Sequence, residues 1–424
     1  MLIDFSETIP VAQRIIQSTL STSSLQAVTL IRDLQGKIAL FLKFSGDPDA
    51  ELTAKLNSDL TTALGVFWSG RLWIDHPKTK AVIKSFGAMV KKERKELDIG
   101  EESDSIKWYL IDRTYSKRGW IERTLPPWPL HKKNPAIVSF YSFKGGVGRS
   151  TALAASALLL ARAGKKVVVI DLDLEAPGVF TLLDSVSEIS EGIVDYLIHQ
   201  AVDDKEYRLE FCERKITDVM LIGETGTPIV VFPAGRIDSG YIDKIARIDI
   251  NGDETVMGLE NLLKEIKRIH SPDFIFLDVR AGLHDIGGLS LNTLSHLNIL
   301  FCLDTNQSWN GLNPVLEILA KMNDRELLLV HAMATPPRID PKAHEKFREK
   351  AFEVFHDHFF SDEEEMPDIN DQFAPYGIPI FAEEALANLS SFTSPGTMAS
   401  ILSAGSPYRV LVSKMGERLG RSIE

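Results

Sequence analysis

Cysteine is nearly absent from this 424-residue chain: only Cys212 and Cys302 occur, far apart in sequence. Two thiols at that separation supply neither a disulfide framework nor the ligand set of a structural zinc site or an iron–sulfur cluster within one chain. Both read as small buried hydrophobes. Long apolar runs are missing as well. No stretch approaches the roughly 18 residues a membrane span needs. The opening MLIDFSETIP carries acids where a secretory leader would carry a basic patch. These absences predict a cytoplasmic protein and argue against a membrane role. Aromatics are sparse at 8%, yet 44% of the chain is hydrophobic and 25% charged, with a net charge of −12. That is an ordinary globular composition, long enough for two or three domains.

The charge is unevenly spread. Residues 1–133 hold 20 basic and 16 acidic side chains, which leaves 27 basic and 43 acidic for residues 134–424. Five of the six tryptophans (Trp68, Trp73, Trp108, Trp120 and Trp128) also fall in the first part. Between the two lies TLPPWPLHKKN, residues 124–134, proline-rich and without apolar period, which reads as a linker. The expected organisation is a smaller α+β adaptor or effector domain at 1–123, the linker at 124–134, and a larger domain at 135–424.

In the first part, QAVTLIRD (26–33) and GKIALFLKF (36–44) are β-prone runs separated by Leu34 and Gln35, the pattern of a hairpin. Asp49 is placed to cap a helix over 49–64, where Leu52, Leu56, Leu60 and Leu64 recur every fourth residue. Residues 77–96 read as a basic helix with an apolar stripe of Val82, Ile83, Phe86, Met89 and Val90. KWYLIDR (107–113) reads as a strand ahead of Lys117, Arg118 and Trp120. Interleaved cations and aromatics could meet nucleic acid through phosphate contacts and stacking; a solvated helix face over an aromatic core explains the same residues. His76 and His131 stand alone, so no nucleophile–base constellation is visible here.

The second part opens with a strand pattern, NPAIVSFYSF, then the turn KGGVGRST, then the helical ALAASALLLARAGKK and a second apolar strand, VVVIDLDLEAPG. Buried strand, covering helix and buried strand make a βαβ unit of a parallel sheet. Apolar runs at 228–232, 274–278, 298–303 and 327–330, with helices over 257–270 and 311–322, extend it to an α/β, doubly wound, mostly parallel fold. Within the turn, Gly145, Gly146, Val147 and Gly148 let successive amide N–H groups face inward at the positive end of a helix, which suits phosphate. Arg149 adds a fixed cation. Ser150 offers a hydroxyl to Mg²⁺, and Thr151 follows toward the α-phosphate. Both VVVID and FIFLD end in acids at the carboxyl edge of the sheet, so Asp171 can reach Mg²⁺ through water and Asp278 completes the metal set.

On these residues the chain resembles the deviant Walker A ATPases of the ParA/MinD-like group, P-loop NTPases whose loop reads KGGxGK[ST]T. It is most similar to a bacterial branch with arginine in the final position, matched here by KGGVGR, DLEAPG (173–178) and DVRAG (278–282). The resemblance implies ATP and Mg²⁺ as cofactors and a homodimer in which two nucleotides are sandwiched. Lys144 would contact the partner's phosphates, Asp173 would orient the attacking water and Gly282 would give an amide to the γ-phosphate. The adenine would lie between Ala334–Arg338 and the segment near Pro379. Phe143 departs from the Walker pattern, as does Arg149: a guanidinium donates in a planar fork where lysine is a compact point charge, so phosphate binding should survive while turnover slows.

The reading is therefore an ATP-binding, slowly hydrolysing molecular switch that controls a protein partner, in a positioning system or a bacterial conflict or antiviral system. Its alternative is a nucleotide-stabilised DNA-binding scaffold with little or no hydrolysis. Glu175 and Arg280 each read as a surface ion pair, Arg280 alternatively as a phosphate or partner contact, and Asn306 as a loop closing the base region or an ordinary turn residue. The acidic run Asp362–Glu365 reads as a solvated loop, and the tail from Tyr408 as a terminal helix packed on the domain.

Overall fold

The computed structural model describes residues 3–20, 24–97, 106–122, 124–184, 186–202, 206–321, 326–360, 366–371, 374–383, 386 and 391–423. The chain forms two compact units, Met1–Tyr115 and Ser116–Glu424.

The first unit holds a five-stranded sheet made of β1 (Leu25–Arg32), β2 (Ile38–Phe44), β3 (Trp68–Asp75), β4 (Lys95–Glu96) and β5 (Lys107–Asp112), in the order β3-β2-β1-β5-β4. β1 and β2 are the expected antiparallel pair. Their connection is longer than the two residues predicted. Asp33 and Lys37 bracket it, Asp33 Oδ1 accepts from the Gln35 and Lys37 amides, and Gly36 adopts φ +85°. Helices Thr8–Leu20 and Ala50–Leu64 cover one face, burying Ala12, Ile16, Leu56, Leu60 and Leu64 against Val28, Leu30, Leu40 and Leu42. Asp49 caps the second of them through the Glu51 and Leu52 amides. Helix Ala81–Glu93 lies on the other face. Its apolar stripe is narrower than predicted: Ile83, Phe86 and Val90 pack inward, whereas Val82 and Met89 point to solvent. Inward positions follow the 3.6-residue period from Ile83, and Val82 and Met89 fall outside that arc.

In the second unit an eight-stranded sheet runs in the order β13-β12-β11-β6-β10-β7-β9-β8. Its strands are β6 (Ala136–Ser142), β7 (Val167–Leu172), β8 (Arg214–Ile216), β9 (Ile229–Phe232), β10 (Phe274–Val279), β11 (Leu297–Cys302), β12 (Glu326–Ala334) and β13 (Ile378–Phe381). All pairings are parallel except β8 with β9. Alternate residues of each strand feed opposite cores: Val167 and Val169 of β7 pack under helix Arg149–Arg162, while Val168 and Ile170 pack with Leu197, Leu259, Leu263 and Ile266 on the far side. Strands buried on both faces explain the unbroken apolar runs in the sequence. The terminal helix Pro407–Arg418 buries Tyr408, Leu411, Val412 and Met415 in the same core as helix Arg149–Arg162. Among the described residues no helix is long and apolar enough to cross a membrane. Both cysteines are buried and free.

Residues read as a linker carry a buried anchor. Trp128 sits in the core of this unit, its indole donating to the Pro135 carbonyl at 2.8 Å, with Lys267 Nζ 4.8 Å from the ring centre. Helix Arg118–Ile121 also belongs to the second unit, and Trp120 is buried there.

Candidate functional site

The centre of the sheet brings the motifs together. β6 ends at Ser142, and residues 143–148 turn back to start helix Arg149–Arg162. Of the glycines in the turn, Gly146 (φ +71°) and Gly148 (φ +80°) occupy the left-handed region, where a β-carbon is strained. Gly145, Gly146 and Gly148 all have open space where a side chain would be. The turn borders a cavity of about 350 Å³ lined by Ser142, residues 145–151, Asp173, Ala176 and Ala281. Ser142 Oγ is buried on that wall without a hydrogen-bond partner. Amides at a helix N-terminus around such a hollow favour an anion.

Three carboxylates stand beside it. Asp171 and Asp278 are directly paired across β7 and β10, and both are almost fully buried. Asp173 lies two residues beyond Asp171, in the loop that follows β7. Burial pushes the Asp171 carboxyl well above the usual carboxylate range, and the neighbouring Asp278 and Asp173 push the same way. Burial also raises Asp278, against the pull of Arg149 and of a hydrogen bond from Ser150. Arg149 was expected on phosphate, but its guanidinium turns onto the acids. Nε donates to Asp278 Oδ1 at 2.8 Å and an Nη to Asp173 Oδ2 at 3.1 Å, with the side chain 9% exposed. Three acids crowded against one cation leave a deficit of positive charge, and the guanidinium goes where that deficit is greatest.

The loops are tied to one another. Asp171 accepts from the Asp173 and Gly178 amides, each at 3.1 Å, and Tyr241 Oη donates to the Leu174 carbonyl at 2.7 Å. Glu175 joins the loops that follow β7 and β10, pairing with Arg280 at 2.6 Å and with His284 at 2.7 Å. Of the readings left open for Glu175 and Arg280, the ion pair is the arrangement present. Gly282, at φ +81°, donates its amide to the Ser142 carbonyl at 3.0 Å, and Tyr141 Oη donates to the Gly282 carbonyl at 3.1 Å. That amide is therefore engaged by backbone and does not point freely into the cavity. Lys144, half-buried at the mouth of the turn, has no carboxylate paired with it among the described residues.

Phe143 explains its own departure from the glycine pattern. Its ring lies on helix Asn306–Ala320 at Gly311, where an added β-carbon would come within 2.1 Å of it. Sequence reasoning had no signal for this contact, nor for Tyr141, Ser142 and His284 around the loops, because none belongs to a motif. Asn306 is the first residue of that helix and exposed.

The segments expected around the base emerge side by side. Ala334 is paired with Phe381 and Pro379 with His331, and the Ala382 amide donates to the Ala334 carbonyl at 3.1 Å. Pro379 itself lies within β13. Next to it, His331 and His344 face each other with Nδ1 atoms 3.1 Å apart, and His331 stacks on Phe347. Burial lowers both histidines to about 4. The acidic run at 362–365 and part of the segment after Ala382 lie outside the described residues.

The donor set fits a hydrated divalent ion better than a protein cage. Among the described residues no three His, Cys, Asp or Glu side chains are grouped to hold a metal, while the Ser150 hydroxyl lies on the cavity wall and the two strand-tip carboxylates stand beside it. Mg²⁺ commonly takes one or two carboxylates and completes its shell with water and substrate phosphates.

The family profile for the CobQ/CobB/MinD/ParA nucleotide binding domain (CbiA) matches residues 138–354, just over half of the chain. No curated protein matches. Solved structures do. The MinC:MinD cell division protein complex of Aquifex aeolicus is 19% identical, covering 68% of this chain and 97% of the matched one at a TM-score of 0.44. The septum site-determining protein MinD of Pyrococcus horikoshii, complexed with Mg-ADP, is 17% identical over 67% of this chain and 95% of the other, at 0.43. A plasmid partition protein of Borrelia burgdorferi is 14% identical over 66% and 100%, at 0.42.

Proposed function

Since the chain belongs to the CobQ/CobB/MinD/ParA nucleotide-binding family, we propose that it is a Mg²⁺-dependent ATPase switch. On this reading ATP joins two copies face to face, hydrolysis is slow, and the two states differ in their hold on a protein partner. The observation that carries it is the glycine turn at a helix start, opening on a cavity of about 350 Å³ with Asp173 on its wall and the buried Asp171 and Asp278 beside it.

The amides of residues 145–151 cradle the phosphate tail, and the helix beginning at Arg149 adds its positive end. Ser150, with Asp171 and Asp278 through water, would hold Mg²⁺, which supplies charge neutralisation at the phosphate oxygens. Asp173 orients the attacking water and accepts its proton. To do so it has to leave Arg149, which releases the guanidinium to a phosphate oxygen. That exchange is why turnover should be slow, and it also supports the second reading, in which nucleotide chiefly stabilises a DNA-binding scaffold. Lys144, with no acidic partner among the described residues, can reach a nucleotide held by another copy. The Ala334–Arg338 loop and the end of β13 flank the base. The surplus of basic side chains in residues 1–133 keeps nucleic acid among the partner classes. A positioning role and a role in a conflict or antiviral system both remain consistent with a switch of this kind.

Light scattering on a sizing column tests the dimer. Wild type with Mg²⁺ and a non-hydrolysable ATP analogue should run at twice the monomer mass. Lys144→Ala should bind the analogue yet stay monomeric and hydrolyse ATP at least about tenfold more slowly. A Lys144→Ala protein that dimerises and hydrolyses like wild type refutes the trans role.

A further inference from the structure

A short turn ahead of the nucleotide domain grips the loop that follows β10. Helix Arg118–Ile121 lies outside the matched family region, which starts at residue 138. It nevertheless makes a dense set of contacts with residues 284–292. The Trp120 indole donates to the His284 carbonyl at 2.8 Å. Its ring rests on Gly288, where an added β-carbon would lie 2.6 Å away, and meets Tyr141 edge-on at 5.8 Å. Gly119 approaches so closely that a β-carbon there would sit 2.5 Å from the Leu289 amide nitrogen. The Lys117 amide donates to Asp285, and Asn292 Nδ2 donates to the Gly119 carbonyl at 3.0 Å.

These contacts lead into the site from two sides. The His284 backbone is held by Trp120 while its ring binds Glu175 at 2.7 Å, and Glu175 sits in the loop that carries Asp173. Tyr141, packed on the Trp120 ring, donates to the carbonyl of Gly282. One buried indole thus bonds the loop after β10 directly and is a single residue, His284, removed from the loop that carries Asp173.

We propose that Trp120 is a positioning residue for residues 280–284. It stabilises the arrangement in which the Gly282 amide is turned to Ser142, and it must yield when that amide turns to a terminal phosphate. A γ-phosphate is then sensed at Trp120, only five residues after the first unit ends. Movement of the loop would be passed directly to the segment through which the two units are joined in the chain. The inference rests on the nucleotide reading above.

The test uses the full chain as wild type, Trp120→Phe and Gly119→Ala. Trp120→Phe keeps a ring on Gly288 and deletes the indole donor; Gly119→Ala forces the turn away from Leu289. Each protein is titrated by calorimetry with Mg-ADP and with Mg-AMP-PNP, and tryptophan emission is recorded. Affinity for ADP should change less than about twofold, while the ratio of AMP-PNP to ADP affinity should shift about three- to tenfold in both variants, the effect of one hydrogen bond. The emission change that AMP-PNP adds beyond ADP should vanish in Trp120→Phe. A purely structural role would weaken both nucleotides alike. An unchanged ratio in both variants, or an emission change that survives in Trp120→Phe, overturns the positioning role and leaves the nucleotide reading standing. No heat from either nucleotide in folded wild type overturns both.

Discussion

Replacing Arg149 by alanine asks whether the guanidinium is the internal counter-ion of the acid cluster. It bonds Asp278 at 2.8 Å and Asp173 at 3.1 Å while almost fully buried. Removing one partner of a buried ion pair leaves an uncompensated charge and costs roughly 3–5 kcal/mol. Here two acids lose their partner, and Asp171 is directly across the strand pair from one of them, so the upper half of that range is expected. The cost should depend on pH. Burial already raises the Asp278 carboxyl above the usual carboxylate range, and Arg149 is the main group opposing the rise. Without Arg149 the folded-state pKa climbs further. A carboxyl raised on folding lends stability fully below about 3.8, and that stability is lost as pH climbs through the folded value. The deficit of Arg149→Ala should therefore be largest at pH 8 and shrink toward pH 5, as protons take over the role of the guanidinium. Urea unfolding of both proteins in EDTA at the two pH values measures it. Arg149→Lys, a point charge that serves one carboxylate at a time, should lose about half as much. Adding Asp278→Asn to the alanine variant should recover about 2 kcal/mol. A loss under about 1 kcal/mol at pH 8, or an equal loss at both values, would refute the counter-ion argument.

Two further outcomes follow from packing and titration. Gly311→Ala should cost about 1–3 kcal/mol by overpacking, because its β-carbon would meet the Phe143 ring at 2.1 Å. Thermal unfolding measures that cost, and Phe143→Leu in the same chain should restore most of it. His331 and His344 are lowered by burial to about 4, so the unfolded chain takes up protons the folded one refuses. Their contribution is intact above about pH 6.5 and is lost as pH falls toward 4. In His344→Gln the midpoint of acid unfolding should move about half a pH unit lower; an unmoved midpoint would sink the idea.

Much of the second unit was legible because its signals are local. Unbroken apolar strands, a glycine turn and the helix that follows it each reveal themselves within a dozen or so residues, and acids at strand tips mark the edge where ligands sit. What the sequence hid depends on long-range approach. Trp128 lies in a stretch that reads as a linker, and nothing nearby shows that Pro135 and Lys267 will enclose it. Val82 and Met89 look like part of a stripe until the sheet fixes which arc of the helix is covered. The turn between β1 and β2 lacks the asparagine–glycine signature of a tight hairpin, and Asp33 builds a wider one from its side chain. At the site, the residue types that read as a nucleotide cradle gave no hint that Arg149 would bind the acids, since that choice is made by summed burial and charge across three elements.

The direct pairing of Asp278 with Asp171 has a consequence for how this centre can change over time. Neighbouring strands are held about 4.8 Å apart by their backbone ladder, so the distance between these two attachment points is a property of the sheet rather than of any side chain. Mutation can lengthen an arm by one methylene or blunt it to an amide, but it cannot slide the arms apart without breaking the ladder. Adjacent like charges on paired strands are unfavourable, and only a cation nearby makes the placement tolerable. Drift at this location is thereby confined to the identity of the counter-charge, which in this chain is the guanidinium of Arg149.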